Sequence, residues 1–304
     1  MDSAPTKDLS RWALLSIATA LVTIALKTTA WQITGSVGLL SDAAESLVNL
    51  VAAIVAFIAL RVAARPADDD HNFGHAKSEY FSAVIEGVMI VVAAGVIIYT
   101  AVDRLLNPRE LESIGIGLGI SVVASVFNGV VAWLLIRAGR RHRSITLEAD
   151  GKHLLTDVWT TAGVVVGVAL VALTGWLPLD PLIAIGVAIN ILVVGYLLIK
   201  RSTAGLMDTA LGDDDLARID EVLEKFRADS APEPVEFHDI RTRESGPVRF
   251  LQLHMLVPGA WSVQRGHDAA EVVEAALRDA VEGLVVTVHL EPIEDPRAYE
   301  SWRR

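Results

Sequence analysis

Two residues that could bind a metal, His153 and Asp157, stand one helical turn apart near the start of an otherwise apolar run, "GKHLLTDVWTTAGVVVGVAL". A second apolar run contains "SDAAESLVN", with Asp42, Glu45 and Asn49 at positions i, i+3 and i+7. If each run is a helix, each set lies on one face. Ionisable side chains inside a bilayer cost about 2.5–3.5 kcal/mol each even on a lenient insertion scale, so their retention points to a task. Turned towards each other, the two faces offer Glu45, Asn49, His153 and Asp157. That is one pair of donors per helix, the number a tetrahedral divalent cation takes. Two carboxylates bring the charge that a dication cancels, and without metal such a site is expected to take up protons. The competing reading is a structural polar contact between helices, with His153 at a wet helix end.

Two further groups have ligand-like spacing. "RPADDDHNFGHAKSE" places Asp68, His71 and His75 three and four residues apart, in a loop that Pro66 and Gly74 allow to turn tightly. It reads either as a surface metal site or as a solvated acidic loop. Towards the C-terminus, His238 and His254 fall on two neighbouring predicted strands. His267 opens a predicted helix, and His289 and Glu291 sit two apart, on one face of a last strand. These could form a third site or be ordinary strand residues. His142, in "GRRHRS", lies among arginines that would repel a cation and is read as a membrane-surface residue. The chain has no cysteine, so any transition-metal site must use nitrogen and oxygen donors.

The elements that position these residues are legible from composition. The chain has 304 residues, 52% of them hydrophobic, and a net charge of −11. It is too apolar for a soluble domain of this size, and too acidic to be expected to bind nucleic acid. Six apolar segments, about 10–34, 37–61, 80–104, 113–138, 150–174 and 179–201, are each near the ~20 residues that span a bilayer. Lys7, Arg11, Arg61, Arg65, Arg137, Arg140, Arg141, Arg143, Lys200 and Arg201 collect at one side of these spans. The positive-inside rule therefore places both termini in the cytoplasm. Residues 203–304 hold 21 acidic against 11 basic residues, nearly all of the net charge. Their pattern predicts helix, strand, strand, helix, strand (α-β-β-α-β), two helices covering one face of a three-stranded sheet. The expected architecture is an α-helical membrane protein with six transmembrane helices (1–205) followed by a cytoplasmic α+β domain (206–304).

"SDAAESLVNL", "RPADDDHNFGHAKSEYF", "EADGKHLLTDVWTT" and "GLMDTAL" together resemble the cation diffusion facilitator family, and within it the bacterial zinc/iron efflux antiporters with a metallochaperone-like cytoplasmic domain. The resemblance covers nearly the whole chain. It implies a homodimer in the cell membrane that exchanges cytoplasmic metal for protons, with divalent metal ions as substrate and regulator and no separate cofactor. It implies a transport site at Glu45, Asn49, His153 and Asp157, a loop site at Asp68, His71 and His75, and a regulatory site at His238, His254, His267, His289 and Glu291. By resemblance alone, Lys77 and Asp208 form a charge interlock near the membrane surface.

The zinc-transporting branch usually carries two aspartates, or histidine and aspartate, where this chain has Glu45 and Asn49. The resulting shell is harder and less anionic. It keeps zinc as the first expectation and makes manganese, iron(II) and cobalt more plausible, with cadmium a further candidate substrate. Asp42 has two readings: a partner for Lys27 or the lining of an outer cavity, against an exit ligand or proton acceptor. Glu86, in the third span, reads as a hydrogen-bonding residue rather than a ligand. The leading function is export of divalent metal by metal/proton antiport. The alternative is a membrane-bound metal sensor or receptor, or a metalloenzyme. The enzyme reading is weakened by the lack of Gly-x-Ser-x-Gly and His-Glu-x-x-His motifs.

Overall fold

The computed structural model describes residues 8–34, 37–107, 116–230 and 232–300. The side chains of Asp42 and Glu45 lie outside the described residues. Those described fall into two compact units, one ending at Ala204 and one beginning at Gly205.

The first unit is built of six long helices: α1 (Ser10–Thr34), α2 (Val37–Ala63), α3 (Ser78–Leu106), α4 (Ile116–His142), α5 (Ile145–Thr174) and α6 (Leu179–Leu206). Four stretches among the described residues are long and apolar enough to cross a membrane: Ser10–Thr29, Ser78–Leu106, Gly119–His142 and Pro181–Leu206. The described stretch Asn49–Ala63 of α2 is a shorter apolar helix. Helices α2 and α5, which carry the candidate ligands, are therefore outside that group of four. Large apolar side chains such as Val92, Trp133 and Val193 point outward and are exposed, as side chains facing lipid are.

Several helix ends depart from the sequence expectation for local reasons. Helix α5 begins at Ile145 rather than near 150 because Ser144 caps it, its hydroxyl accepting the Leu147 N–H at 3.3 Å. Arg143, with φ 55°, makes the short turn from α4. Helix α4 continues through its arginines to His142, which is thus a partly exposed helix-end residue. Helix α5 stops at Gly175, whose φ of 70° is the left-handed conformation that glycine adopts without steric cost. Helix α5 packs on α2, α3 and α4, and α1 packs on α2 and α4. The α4–α5 contact is close: a Cβ on Gly151 would lie 2.7 Å from Ile136 Cγ1. Small residues allow helix backbones to approach in this way.

The second unit runs α7 (Asp213–Asp229), β1 (Glu236–Ser245), β2 (Val248–Val257), α8 (Val263–Ala280), β3 (Leu284–Pro292) and a final 3-10 turn, Pro296–Tyr299. The first five elements follow the α-β-β-α-β order. Strand β2 is central, antiparallel to β1 and parallel to β3. Ile219 and Leu223 of α7 and Val273 and Leu277 of α8 share one core with Phe237, Leu251, Leu253, Met255 and Val286. Because strand side chains alternate, the neighbours of these core residues emerge on the other face of the sheet. Arg249 is buried within this unit, pairing with Asp215 at 3.1 Å and donating to the Glu282 carbonyl at 2.9 Å.

Candidate metal centres

Three of the four expected membrane ligands meet where α2 faces α5. Asn49, His153 and Asp157 are all buried. The Asn49 amide nitrogen donates to Asp157 Oδ2, and its carbonyl oxygen accepts from His153 Nε2 at 2.8 Å. With Nε2 carrying the proton, Nδ1 holds the lone pair, and Nδ1 is buried without a hydrogen-bond partner. A neutral imidazole linked through Asn49 to a buried carboxylate is a donor set suited to a cation. Glu45 belongs to the same helix one turn before Asn49, but its side chain lies outside the described residues, as does that of Asp42.

The sequence reading missed one participant, Asn128 of α4. It is buried, its amide donates to Asp157 Oδ2 at 3.2 Å, and its Oδ1 has no hydrogen-bond partner. The signal was a lone amide inside an apolar span, "SVFNGVV". Its relation to Asp157 depends on how α4 packs against α5. Glu86, also buried, accepts from Ser82 Oγ at 3.3 Å, in keeping with a hydrogen-bonding role.

The loop between α2 and α3 brings Asp68, His71 and His75 together, with one donor atom from each within 4.8 Å of the others. The His71 backbone N–H donates to Asp68 Oδ1 at 2.7 Å, and Asp68 Oδ2 lies 3.3 Å from His75 Nε2. His75 Nδ1 donates to the Pro66 carbonyl at 3.2 Å. That bond fixes the tautomer and leaves the Nε2 lone pair directed at the cluster, as outer partners do for metal-binding histidines. Gly74, with φ 81°, supplies the turn. The His71 backbone N–H bond, outweighing the opposing effect of burial, holds the Asp68 carboxyl below the usual carboxylate range. Asp68 is therefore an anionic donor at neutral pH.

In the second unit the register places His238 opposite His254 and His254 opposite His289, one imidazole per strand in a row across the sheet. They occupy the face away from α7 and α8. Glu291 is buried beside them, with Oε2 2.9 Å from His238 Nε2 and 3.2 Å from His254 Nδ1. His238, His254 and Glu291 form the tight group. His289 is more peripheral: its side chain is 62% exposed and 3.5 Å from Glu291. His267, exposed in the first turns of α8, is not part of the group. Asp239 joins instead, 3.5 Å from His254 Nε2. A bulge between His238 and Arg241, where Asp239 has φ 47°, lets neighbouring residues reach the same imidazole row. Asp208 pairs with Arg243 at 3.2 Å inside its own unit.

Comparison with known proteins follows this division. Residues 13–207 match the cation efflux transmembrane domain, and residues 211–293 match the cation efflux protein cytoplasmic domain. An uncharacterized transporter of Synechocystis sp., sll1263, is 51% identical over 289 residues, covering 95% of this chain and 92% of its own. The cation-efflux pump FieF of Shewanella oneidensis is 33% identical over 279 residues, covering 92% of each chain. A solved structure of a putative zinc transporter, CzrB, is 35% identical over a region that makes up 27% of this chain and 96% of that one, with a TM-score of 0.24. The matched relatives are transporters rather than enzymes, and the apolar helices make this a multi-pass membrane protein. The chain belongs to the cation efflux family, also called the cation diffusion facilitators, and is a cation efflux transporter with a helical transmembrane domain and a C-terminal cytoplasmic α/β domain.

Proposed function

We propose that the protein is a divalent metal/proton antiporter that exports cytoplasmic metal across the cell membrane by alternating access, with zinc first among its substrates and iron(II), manganese, cobalt and cadmium within its range. The observation that carries this reading is the buried meeting of Asn49, His153 and Asp157 across α2 and α5. With Glu45 it supplies one pair of donors from each helix. In this reading all six helices span the membrane, both termini are cytoplasmic, and the working form is a homodimer. Residues 1–205 carry transport. Residues 206–304 bind metal, regulate and dimerise, with His238, His254 and Glu291 as the main ligands and His267 and His289 as outer ones. Asp68, His71 and His75 form the loop site, and Lys77 and Asp208 the interlock.

The exchange follows from the shared donors. Asp157 Oδ2 is held by amide N–H groups, and an arriving dication displaces those contacts and takes the oxygen. Metal and protons compete for the same carboxylates, so binding one releases the other. Opening to the opposite side then turns that competition into counter-transport.

The test is zinc-driven proton flux in proteoliposomes. Asp157→Ala removes one of two anionic donors and is expected to abolish flux while the protein stays folded. Normal flux from a stable variant would sink the assignment. In the same assay, full activity in Asp42→Asn assigns Asp42 a peripheral role, and loss of coupling makes it a proton or exit site.

A further inference from the structure

Among the described residues of the transmembrane unit, four acceptor atoms are buried without hydrogen-bond partners, Glu86 Oε2, Asn128 Oδ1, Asp150 Oδ2 and His153 Nδ1, and two of them, His153 Nδ1 and Asn128 Oδ1, lie in one connected group. Both belong to residues joined to the Asn49–Asp157 contact. His153 is tied to it through Asn49 Oδ1 at 2.8 Å, and Asn128 through Asp157 Oδ2 at 3.2 Å. A buried acceptor left unpaired costs free energy, and the usual remedies are a donor, a water or a cation. Asp157 Oδ2 already receives two amide donors, from Asn49 and Asn128. The Asn128 carbonyl is thus fixed beside the carboxylate with its lone pairs unused.

We infer that Asn128 is a further residue of the transport site: its amide N–H orients Asp157, and its carbonyl oxygen completes the shell of the bound dication. The inference rests on the transport reading given above and adds a third helix to it. Counting Glu45, the site then offers five donors, four of them oxygen bearing and one nitrogen. Zinc is satisfied by four donors in a tetrahedron. Oxygen-rich sites with more donors suit manganese and other harder dications. A fifth, neutral oxygen donor therefore widens the site's selectivity from zinc towards manganese and iron(II). Asparagine suits this role because it donates to the carboxylate with one end and ligates with the other. Leucine, of similar size, can do neither.

The test uses full-length protein, with cobalt(II) as a spectroscopic probe and manganese and zinc as substrates. The cobalt spectrum of Asp157→Ala is subtracted, which leaves the membrane site. The wild-type difference spectrum should show the weak visible bands of a shell larger than four. Asn128→Leu should intensify them several-fold as the shell falls to four. In proteoliposomes Asn128→Leu should raise KM for manganese about 10-fold, equivalent to about 1.4 kcal/mol, and change that for zinc less than about 3-fold. Asn128→Asp, which restores an oxygen at the same place, should keep manganese transport and lower its KM. An unchanged cobalt spectrum with equal effects on both metals would overturn the inference and leave the transport reading standing. If Asn128→Leu does not fold, an unchanged manganese KM in Asn128→Asp overturns it equally. Normal transport by Asp157→Ala would overturn the transport reading itself, and the inference with it.

Discussion

Saturating the cytoplasmic unit with zinc should raise its stability by an amount that can be worked out in advance. The unit from Gly205 onward has its own core, in which both helices and all three strands share buried side chains, so a fragment of residues 205–304 is the natural object. A ligand that binds only the folded form adds about 2.7 kcal/mol when its concentration is 100 times Kd. For a domain of roughly 100 residues, each kcal/mol moves the melting temperature by about 4–8 °C, so the expected rise is about 10–20 °C. Glu291 holds two imidazoles, at 2.9 and 3.2 Å. Glu291→Ala should therefore lower the metal-free stability by about 2 kcal/mol, the scale of charge-assisted hydrogen bonds, and also remove the zinc response. His238→Ala combined with His254→Ala should remove the response too. His289→Ala should keep most of it, because that side chain is largely exposed and 3.5 Å from Glu291. The assay is thermal unfolding with and without zinc, paired with small-angle scattering of the fragment. Fragments whose melting temperature and dimensions ignore zinc at micromolar concentrations would refute the tail as a metal-binding regulator.

In competition transport assays Asn49→Asp should raise zinc affinity at least about 10-fold and steepen the pH dependence, because it adds an anionic donor beside Asp157; an unchanged order of metals would remove Asn49 from the shell. Arg249→Ala should cost the cytoplasmic unit about 1.5–3 kcal/mol, the scale of hydrogen bonds to charged groups, since it removes a buried partner of Asp215, which retains Arg218 at 3.5 Å, and frees the Glu282 carbonyl; urea unfolding measures the loss, and a cost under about 1 kcal/mol would refute it. The folded-state carboxyl of Asp68 lies below its usual range, so its contribution to loop closure is present at neutral pH, persists through mild acid and is lost only as pH falls through the lowered value. A carboxyl NMR titration of metal-free protein should place the Asp68 midpoint below that of Asp68 in an unfolded loop peptide, and equal midpoints would contradict the hydrogen-bonding account.

What the chain order alone decided is what depends on neighbours within one element. Turn spacing put His153 and Asp157 on one face of α5, and alternation put His289 and Glu291 on one face of β3. The run "DDDHNFGH" is short enough that Asp68, His71 and His75 could hardly avoid one another, and their grouping was legible for that reason. Apolar length marked the helices to within a few residues, except where a cap such as Ser144 moved a start. Tertiary structure decided the rest, because periodicity says which side of an element is special and not which other element it will face. The packing of α4 on α5 brought Asn128 to Asp157. The pairing of β1 with β2 and of β2 with β3 turned three histidines, far apart in the chain, into one row. The bulge at Asp239 brought in a carboxylate that strict alternation would have sent to the other face, while the packing of α8 on the sheet's other face left His267 away from the group. Each of these depends on a contact between residues distant in sequence, and no local pattern encodes such a contact until the elements have packed.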